Sequence, residues 1–387
     1  MKQSVAVGID IGSTLTRVVV CGTAENGKSV ILGTGSTETH GMRHGYVVNR
    51  DEVLQSLKYA VAAAQKESGV KIRSAVLTIG GIGISCESAM GSTVVSRADS
   101  IVSRFDIEKA IAEAEKNIEL KNKTSLHAFP VSFQVDGKEL PTRPEGIIGG
   151  KLEVKTLFVT CLEQHLDDLI GVVNEAGIRV TNFIATPIAT EKLLLTDIQR
   201  NFGCVLIDIG AETVSAAVFE NNTLTSLHVF GIGSLDITKD IALGLRINPE
   251  EAESLKIGVV SFQNVPKKKL DEIVEARLSD IFELVDKYLK KIGRSGLLPA
   301  GAILIGAGSN HSMTENVAKT ILKIPVRTGR LDMFSKKGPF KDQRFVTAYS
   351  AAMSSLEKNI SKTGSSSAGD ADNFGSAIKN FFKQLMP

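Results

Sequence analysis

The strongest constraint on the fold is a sixteen-residue pattern that occurs twice. Residues 5–20 read VAVGIDIGSTLTRVVV, and residues 204–219 read CVLIDIGAETVSAAVF. In both copies an alternating apolar strand ends at an Asp-Ile-Gly turn, and a second apolar strand follows. Asp208 aligns with Asp10 at an offset of 198 residues. The repeat predicts an internally duplicated α/β chain with one β-hairpin in each half.

Each hairpin combines features that suit a phosphate group. The glycine after the Asp lets the backbone turn tightly and present N–H groups to an anion. The carboxylates of Asp10 and Asp208 suit Mg²⁺ held through water, because that ion keeps much of its hydration shell. Asp208 could also orient an attacking water. One such turn is most often only a hairpin, but two copies in register favour a clamp on one polyphosphate.

Two further segments suit a nucleotide held between the halves. Residues 229–245, VFGIGSLDITKDIALGL, predict a strand that ends near Gly231 and Gly233, then a helix whose amino end faces phosphate. Residues 302–310, AILIGAGSN, predict a buried strand that runs into a glycine turn. The absence of side chains at that turn would let a flat base approach.

The stretch EEAESLKIG places Glu253 and Lys256 three residues apart on one helical face. Such a pair suits hydrogen bonds to a ribose or to an adenine edge. A solvated ion pair explains the same spacing equally well, so both interpretations stay open.

Composition excludes several other classes of protein. With 387 residues, of which 43% are hydrophobic, the chain can bury a full core and form two or more domains. A net charge of +2 predicts no nucleic-acid partner, because such proteins concentrate Lys and Arg strongly. The four cysteines form no C-x-x-C pair, which predicts reduced thiols. No stretch reaches the ~18 apolar residues of a membrane span, and the first apolar run is too short for a secretory signal.

One motif is a decoy. Residues 22–29, GTAENGKS, satisfy the P-loop pattern and would assign Lys28 and Ser29 to phosphate. A P-loop requires a helix that starts at that Lys. The continuation VILGTGS is strand-like, so the sequence predicts a hairpin here.

Several longer stretches carry a resemblance to a known family. SAVLTIGGIGISCESAMGSTVVSR, the run from Phe105 to Gly137 and TRPEGIIGGKLEVKTLFVTC resemble the inserted subdomain of the FtsA family of bacterial cell-division proteins. IATPIATEKLLL and QRFVTAYSAAM resemble the two small-residue helices that connect its lobes. The order of hairpins and glycine turn is typical of the wider actin, sugar-kinase and heat-shock-chaperone superfamily. The resemblance runs from residue 4 to the end.

The resemblance implies an actin-like bilobed fold with an ATP site in the cleft between the lobes. The implied nucleotide contacts are Asp10, Gly12, Ser13 and Thr14 in the first phosphate loop, Asp208, Gly210 and Thr213 in the second, and Gly306 and Gly308 in the adenosine turn. The second loop departs from the family pattern D-I-G-G-G-T, because Ala211 and Glu212 replace glycines, and the adenosine turn lacks Thr-Gly-Gly. A carboxylate near the terminal phosphate should repel it. We therefore expect ATP binding with at most slow hydrolysis.

The implied domains follow the same order. They are the first lobe at 1–83, the insert at 84–161, the return to the first lobe and a connecting helix at 162–188, the second-lobe core at 189–236, its outer subdomain at 237–300, the adenosine turn and return helix at 301–357, a flexible linker at 358–372 and an amphipathic helix at 373–387.

The last fifteen residues, NFGSAIKNFFKQLMP, predict a membrane-binding helix on a Ser/Gly-rich tether. On a 3.6-residue period one stripe is apolar and the opposite face carries lysines. The stripe contains Phe374, Ile378, Phe381, Phe382 and Leu385, and the lysines are Lys379 and Lys383. Such a helix is a weak anchor by itself, and a filament would hold by multivalency on anionic lipid. The alternative is a helix that docks back on its own protein.

The resemblance further implies a peripheral protein of the inner membrane face at the division site, which self-assembles and tethers FtsZ. FtsZ would bind the second lobe through its carboxyl-terminal peptide, and other division proteins are possible partners. For that contact the sequence offers only a basic helix end with Lys290, Lys291 and Arg294, which a solvated helix end explains as well. A scaffold like the pilus protein PilM and a sugar-kinase phosphotransferase are the alternatives.

Overall fold

The computed structural model describes residues 5–23, 29–259, 267–336 and 338–364. The strands of these ranges are β1 (Val5–Ile11), β2 (Leu15–Thr23), β3 (Ser29–Glu38), β4 (Met42–Arg43), β5 (Tyr46–Val47), β6 (Ser74–Ile79), β7 (Ser85–Val94), β8 (Lys123–Val135), β9 (Lys138–Leu140), β10 (Lys151–Leu162), β11 (Arg179–Ala185), β12 (Cys204–Ile209), β13 (Val214–Glu220), β14 (Thr223–Phe230), β15 (Ala302–Ile305), β16 (Val326–Thr328), β17 (Met333–Ser335) and β18 (Gly338–Phe340).

The helices lie between these strands and on both sides of the sheets. They are α1 (Arg50–Ser68), α2 (Arg104–Lys116), α3 (Glu163–Glu175), α4 (Thr186–Ala189), α5 (Glu191–Leu194), α6 (Asp197–Phe202), α7 (Ser234–Leu245), α8 (Pro249–Lys256), α9 (Lys267–Lys291), α10 (Thr314–Leu322) and α11 (Val346–Gly364), with short 3₁₀ turns at Ala307–Asn310 and Gln343–Phe345.

The two lobes are built on the same sheet plan. In the first, β1, β2 and β3 form an antiparallel meander, and β6 and β11 extend it in parallel on the other side of β1. In the second, β12, β13 and β14 form the meander, and β15 and β16 extend it in parallel. β17 and β18 complete the far edge of the first sheet. The duplication predicted from the repeat is therefore confirmed.

Helices cover both faces of the first-lobe sheet, and glycines let two of them approach closely. A Cβ on Gly8 of β1 would collide with the backbone of Ala348 in α11, and one on Gly35 of β3 would collide with Ala60 in α1. Gly8 pairs through Val19 with Thr34, the neighbour of Gly35, so the two glycines point to opposite faces. The sheet is thus sandwiched between α1 and α11.

The inserted subdomain lies between β6 and α3. Its four strands pair in the order β7, β10, β8, β9, and α2 packs against β7 and β10. Ser103 caps α2, whose buried Asp106 accepts hydrogen bonds from Ser96 and Ser103. Phe158 of β10 points into a core of the insert's own, whereas Leu157 and Val159 point into the main core. The predicted inserted subdomain is therefore present, and its bounds at 84–161 stay a prediction.

Two predicted boundaries are wrong. IATPIATEKLLL does not form one helix but two short ones, α4 and α5, and the break is at Thr190. Pro187 lies in the first turn of α4, where proline is tolerated because the N–H that it lacks would have no partner within the helix. The return helix α11 continues to Gly364, so residues 358–364 are helical although the sequence assigned them to the linker.

The main hydrophobic core contains residues of both lobes. Leu57, Leu77 and Val172 of the first lobe belong to the same cluster as Leu206 and Leu227 of the second. A second cluster lies on the other face of the second-lobe sheet, under α7, α9 and α10. Within the described ranges no helix is both long enough and apolar enough to cross a membrane.

Candidate functional site

The two hairpin tips have the same backbone geometry. The N–H of Gly12 donates to the carbonyl of Leu15 at 3.1 Å, and the N–H of Gly210 donates to the carbonyl of Thr213 at 2.9 Å. Each bond closes a two-residue tip, which is Ser13 and Thr14 in the first hairpin and Ala211 and Glu212 in the second. The predicted register of the two loops is therefore confirmed at the level of single hydrogen bonds.

Asp10 is buried and held from two sides. Arg17 Nη1 donates to Oδ2 of Asp10 at 3.0 Å, and Thr78 Oγ1 donates to Oδ1 at 2.6 Å. Arg17 lies directly opposite Asp10 in the hairpin, and Thr78 belongs to the neighbouring parallel strand β6. The carboxylate is fixed at the carboxyl end of β1, with its orientation set by both strands.

Asp208 lies near Asp10 but in a less favourable environment. Burial raises the pKa of its carboxyl group, the charge of Asp10 raises it further, and Arg17 opposes both effects, so the pKa is about 6. The structure thus brings together the two aspartates that the sequence placed 198 residues apart. Arg17 is therefore bonded to Asp10 and acts on Asp208 only through its charge.

The glycines of the predicted adenosine turn pack against the second hairpin. A Cβ on Gly306 would collide with Oδ1 of Asp208, and one on Gly308 would collide with Ile209 and lie 3.0 Å from Cβ of Ser234. Gly306 also has a φ of 86°, which favours glycine. These contacts explain both glycines without a ligand, and the approach of a flat base stays a prediction.

The amino end of α7 anchors the second hairpin. The N–H of Ser234 donates to the carbonyl of Gly210 at 2.9 Å, and that of Leu235 donates to Ala211 at 2.8 Å. The N–H of Gly233 donates to the carboxylate of Asp236 at 2.9 Å. These donors are already used inside the described structure, and the expectation that this helix end faces phosphate stays a prediction. Gly231 lies close to Ile82 of the first lobe instead.

Glu253 and Lys256 form an ion pair of 2.7 Å on α8. Lys256 Nζ also donates to Thr238 Oγ1 at 2.8 Å and to the carbonyl of Ser234 at 3.1 Å. The lysine is therefore largely buried and ties α8 to the start of α7, while Glu253 stays more exposed. Of the two interpretations, the ion pair is present, although it is not a fully solvated one. A contact with ribose or adenine stays a prediction.

Sequence reasoning missed three residues of the site. Arg17 and Thr78 hold Asp10, and His44 contacts Glu212 across the cleft. Arg17 carried a readable signal, because a two-residue tip pairs position 10 with position 17 in the hairpin. His44 carried none, since the sequence gives no indication that it lies beside a residue 168 positions away.

The other predicted site residues lie apart from the hairpins. Lys290 pairs with Asp286 at 2.7 Å and Arg294 with Glu220 at 2.8 Å, so two of the three cations of the basic helix end already have acidic partners. The predicted membrane residues Phe374, Ile378, Lys379, Phe381, Phe382, Lys383 and Leu385 lie outside the described residues. Ser29 begins strand β3 rather than a helix, as the strand-like continuation VILGTGS predicts.

The residues at the hairpins fit a magnesium-bound polyphosphate. Nε of Arg17 is buried without a hydrogen-bond partner in the described part of the chain, so the guanidinium keeps a donor for an added acceptor. A divalent cation would favour the ionised form of Asp208, which burial and the charge of Asp10 both disfavour. No group of three or more His, Cys, Asp or Glu among the described residues could hold a metal directly. Two carboxylates suit Mg²⁺ that keeps its waters.

Comparison with known families gives two matches. A model described as "Cell division protein FtsA" matches residues 205–350, and one described as "SHS2 domain inserted in FTSA" matches residues 83–160. Cell division protein FtsA of Bacillus subtilis is 29% identical over 354 residues, which are 86% of this chain and 80% of that protein. FtsA of Pseudomonas aeruginosa is 29% identical over 344 residues, which are 84% of this chain and 82% of that protein.

Solved structures share the fold at low sequence identity. A chain of the PilM-PilN type IV pilus biogenesis complex has a TM-score of 0.67 and 16% identity, and the match covers 91% of this chain and 98% of that one. MreB 5 of Spiroplasma citri bound to AMPPNP has a TM-score of 0.54 and 12% identity, with 93% and 98% covered. The predicted actin-like fold is confirmed.

Proposed function

Because the chain belongs to the FtsA family of cell-division proteins, we propose that it binds ATP between its lobes and tethers FtsZ filaments to the membrane. The observation that carries the nucleotide part is the pair of matched hairpins, which bring Asp10 and Asp208 to one point of the cleft. The membrane part rests on the amphipathic pattern of the last fifteen residues.

In this proposal each hairpin residue has a distinct role. The amides and hydroxyls of Ser13 and Thr14 bind phosphate oxygens, and the positive charge of Arg17 balances the negative charge of the phosphate. Asp10 and Asp208 hold the hydration shell of Mg²⁺. When bound, Mg-ATP would place its negatively charged triphosphate between the two hairpins. Asp208, with a pKa of about 6, is mostly ionised at neutral pH and can orient a water molecule.

The remaining interactions follow from the family and the tail. Self-assembly places many weak anchors on one filament, so that membrane attachment becomes strong only for the polymer. The carboxyl-terminal peptide of FtsZ binds the second lobe, and other division proteins join the assembly. The site of action is the cytoplasmic face of the bacterial membrane at the septum. A pilus scaffold and a sugar phosphotransferase are less favoured, because both matching family models are those of FtsA.

The test is flotation of purified FtsZ on anionic liposomes with Mg-ATP. The full chain is compared with a chain truncated after Asp372 and with two single variants of the tail, Phe381→Glu and Asn380→Glu. We expect the full chain and Asn380→Glu to carry FtsZ to the top of the gradient. The truncated chain and Phe381→Glu should leave it at the bottom, because a charge on the apolar stripe opposes insertion.

Two other outcomes would change the proposal. If the full chain floats without FtsZ, the anchor is right and the partner is wrong, as a pilus-type scaffold would behave. If nothing floats, the last fifteen residues are a docking helix and the membrane role fails.

A further inference from the structure

A small hairpin of the first lobe, residues 42–47, lies over both phosphate loops. β4 and β5 pair Met42 with Val47 and Arg43 with Tyr46, which leaves His44 and Gly45 as a two-residue turn. Both turn residues have positive φ, 48° and 85°. This is the left-handed geometry of a type I′ turn, in which successive N–H groups can converge on an anion. We call residues 42–47 the cleft turn.

The two N–H groups of the cleft turn go to different lobes. The N–H of Gly45 donates to Ser13 Oγ at 3.1 Å, at the tip of the first hairpin. The N–H of His44 donates to Glu212 Oε2 at 2.5 Å, at the tip of the second. Nδ1 of His44 also lies 3.2 Å from the carbonyl of Glu212. The turn therefore joins the two hairpins across the cleft.

Both sides of this contact are held in place by other bonds. On the first lobe, the N–H of Ile82 donates to the carbonyl of His44 at 3.2 Å, and a Cβ on Gly45 would collide with Gly81. On the second lobe, the N–H of Leu235 fixes the carbonyl of Ala211, the residue before Glu212. Neither His44 nor Glu212 can move away without breaking these bonds, so the contact between them persists only while the two lobes stay close together.

We infer that Glu212 is an interlobe latch, whose carboxylate takes the anion position of the cleft turn and must release it when a polyphosphate enters. The inference rests on the proposed ATP site. A phosphate group between the hairpins would be repelled by this carboxylate and would compete with it for the His44 N–H. The latch thus slows nucleotide entry and weakens nucleotide binding, and it keeps the lobes together when nucleotide is scarce.

The first arm of the test needs no nucleotide. Amide hydrogen exchange is measured on wild type, Glu212→Ala, Glu212→Gln and the control Glu283→Ala, which changes an exposed glutamate of the second lobe. Loss of one charge-assisted hydrogen bond should speed exchange of the 42–47 segment about tenfold in Glu212→Ala. Glu212→Gln keeps an acceptor oxygen and should have a smaller effect. Unchanged exchange in Glu212→Ala would overturn the latch.

The second arm measures association and dissociation of a fluorescent ATP analogue with Mg²⁺ by stopped flow. Glu212→Ala should bind the analogue several-fold faster than wild type and Glu283→Ala, and it should not release the analogue faster, because the carboxylate that opposes phosphate is gone. If exchange speeds up but the association rate does not, the contact is only structural and the latch is overturned. If no variant binds the analogue, the proposed ATP site fails, while the exchange result still reports on the interlobe contact.

Discussion

At the scale of single residues, the site depends on how one arginine is shared by two carboxylates. Asp10 has both Arg17 and Thr78 as donors, whereas Asp208 is influenced by Arg17 only through charge. The result is an asymmetric pair, in which Asp10 stays anchored and Asp208 has a raised pKa. A raised pKa of a carboxyl group in a cleft means that the ionised form is poorly stabilised there, and such groups are candidates for a functional site.

Asp208 should make the stability of the protein depend on pH. Its pKa rises from 3.8 to about 6 on folding, so the folded state binds the proton more tightly than the unfolded state between these values. The free energy of unfolding therefore gains from this group at low pH and loses that gain as pH rises through 6. Asp208→Asn removes the titration. Relative to wild type, the variant should gain stability between pH 4 and pH 7, by at most about 3 kcal/mol.

Urea unfolding of wild type and Asp208→Asn at several pH values measures this difference directly. The control is Asp332→Asn, because Asp332 is exposed on the first lobe. The pH dependence of interest is the part that Asp208→Asn shows and this control does not. A flat difference for Asp208→Asn would mean that neither burial nor the charge of Asp10 raises the pKa of Asp208 in the folded protein.

At the scale of elements, the small residues of α11 and β1 decide how the return helix docks. A Cβ on Gly8 would lie 2.7 Å from the backbone N of Ala352 and 3.0 Å from the backbone C of Ala348, and both alanines are fully buried. Backbone atoms cannot move aside as a flexible side chain does. The helix and the strand that carries Asp10 are therefore packed without room for one more methyl group.

Gly8→Ala should consequently destabilise the first lobe by about 1–3 kcal/mol, the usual cost of overpacking. The matched control is Gly150→Ala in the insert, where the nearest atom to a new Cβ is a side-chain oxygen of Asp136 at 3.6 Å. Chemical denaturation with circular dichroism compares both variants with wild type. Equal stability of the two variants would show that α11 can shift away from β1.

Much of this element structure could be predicted from the sequence, for identifiable reasons. The repeat around Asp10 and Asp208 fixes both meanders, because strand alternation and turn length act over a few neighbouring residues. The break at Thr190 and the end of α11 at Gly364 were not predicted, because local sequence determines where a helix ends less strongly than whether a helix forms. The hydrogen bond from His44 to Glu212 could not be predicted either, because it joins two residues that are 168 positions apart and carry no local signal for it.

At the scale of the whole molecule, the distribution of the core sets which parts unfold together. Leu206 of β12 is buried in a cluster that also contains first-lobe residues such as Leu77. Phe158 is buried in the separate cluster under α2 of the insert. We therefore expect the two lobes to unfold as one cooperative unit and the outer face of the insert to unfold independently.

Truncation of Leu206 and of Phe158 in separate variants should show which parts of the molecule unfold together. Leu206→Ala should cost about 2–5 kcal/mol and raise hydrogen exchange in both lobes, because it opens a cavity in their common core. Phe158→Ala should cost about 3–5 kcal/mol of local stability, and the faster exchange should be confined to α2 and the insert strands. Exchange is followed by mass spectrometry of peptides from β1, β12 and α2. Faster exchange of β12 alone in Leu206→Ala, with β1 unchanged, would show that the lobes unfold separately. An interlobe latch would then have to join two lobes that fold independently.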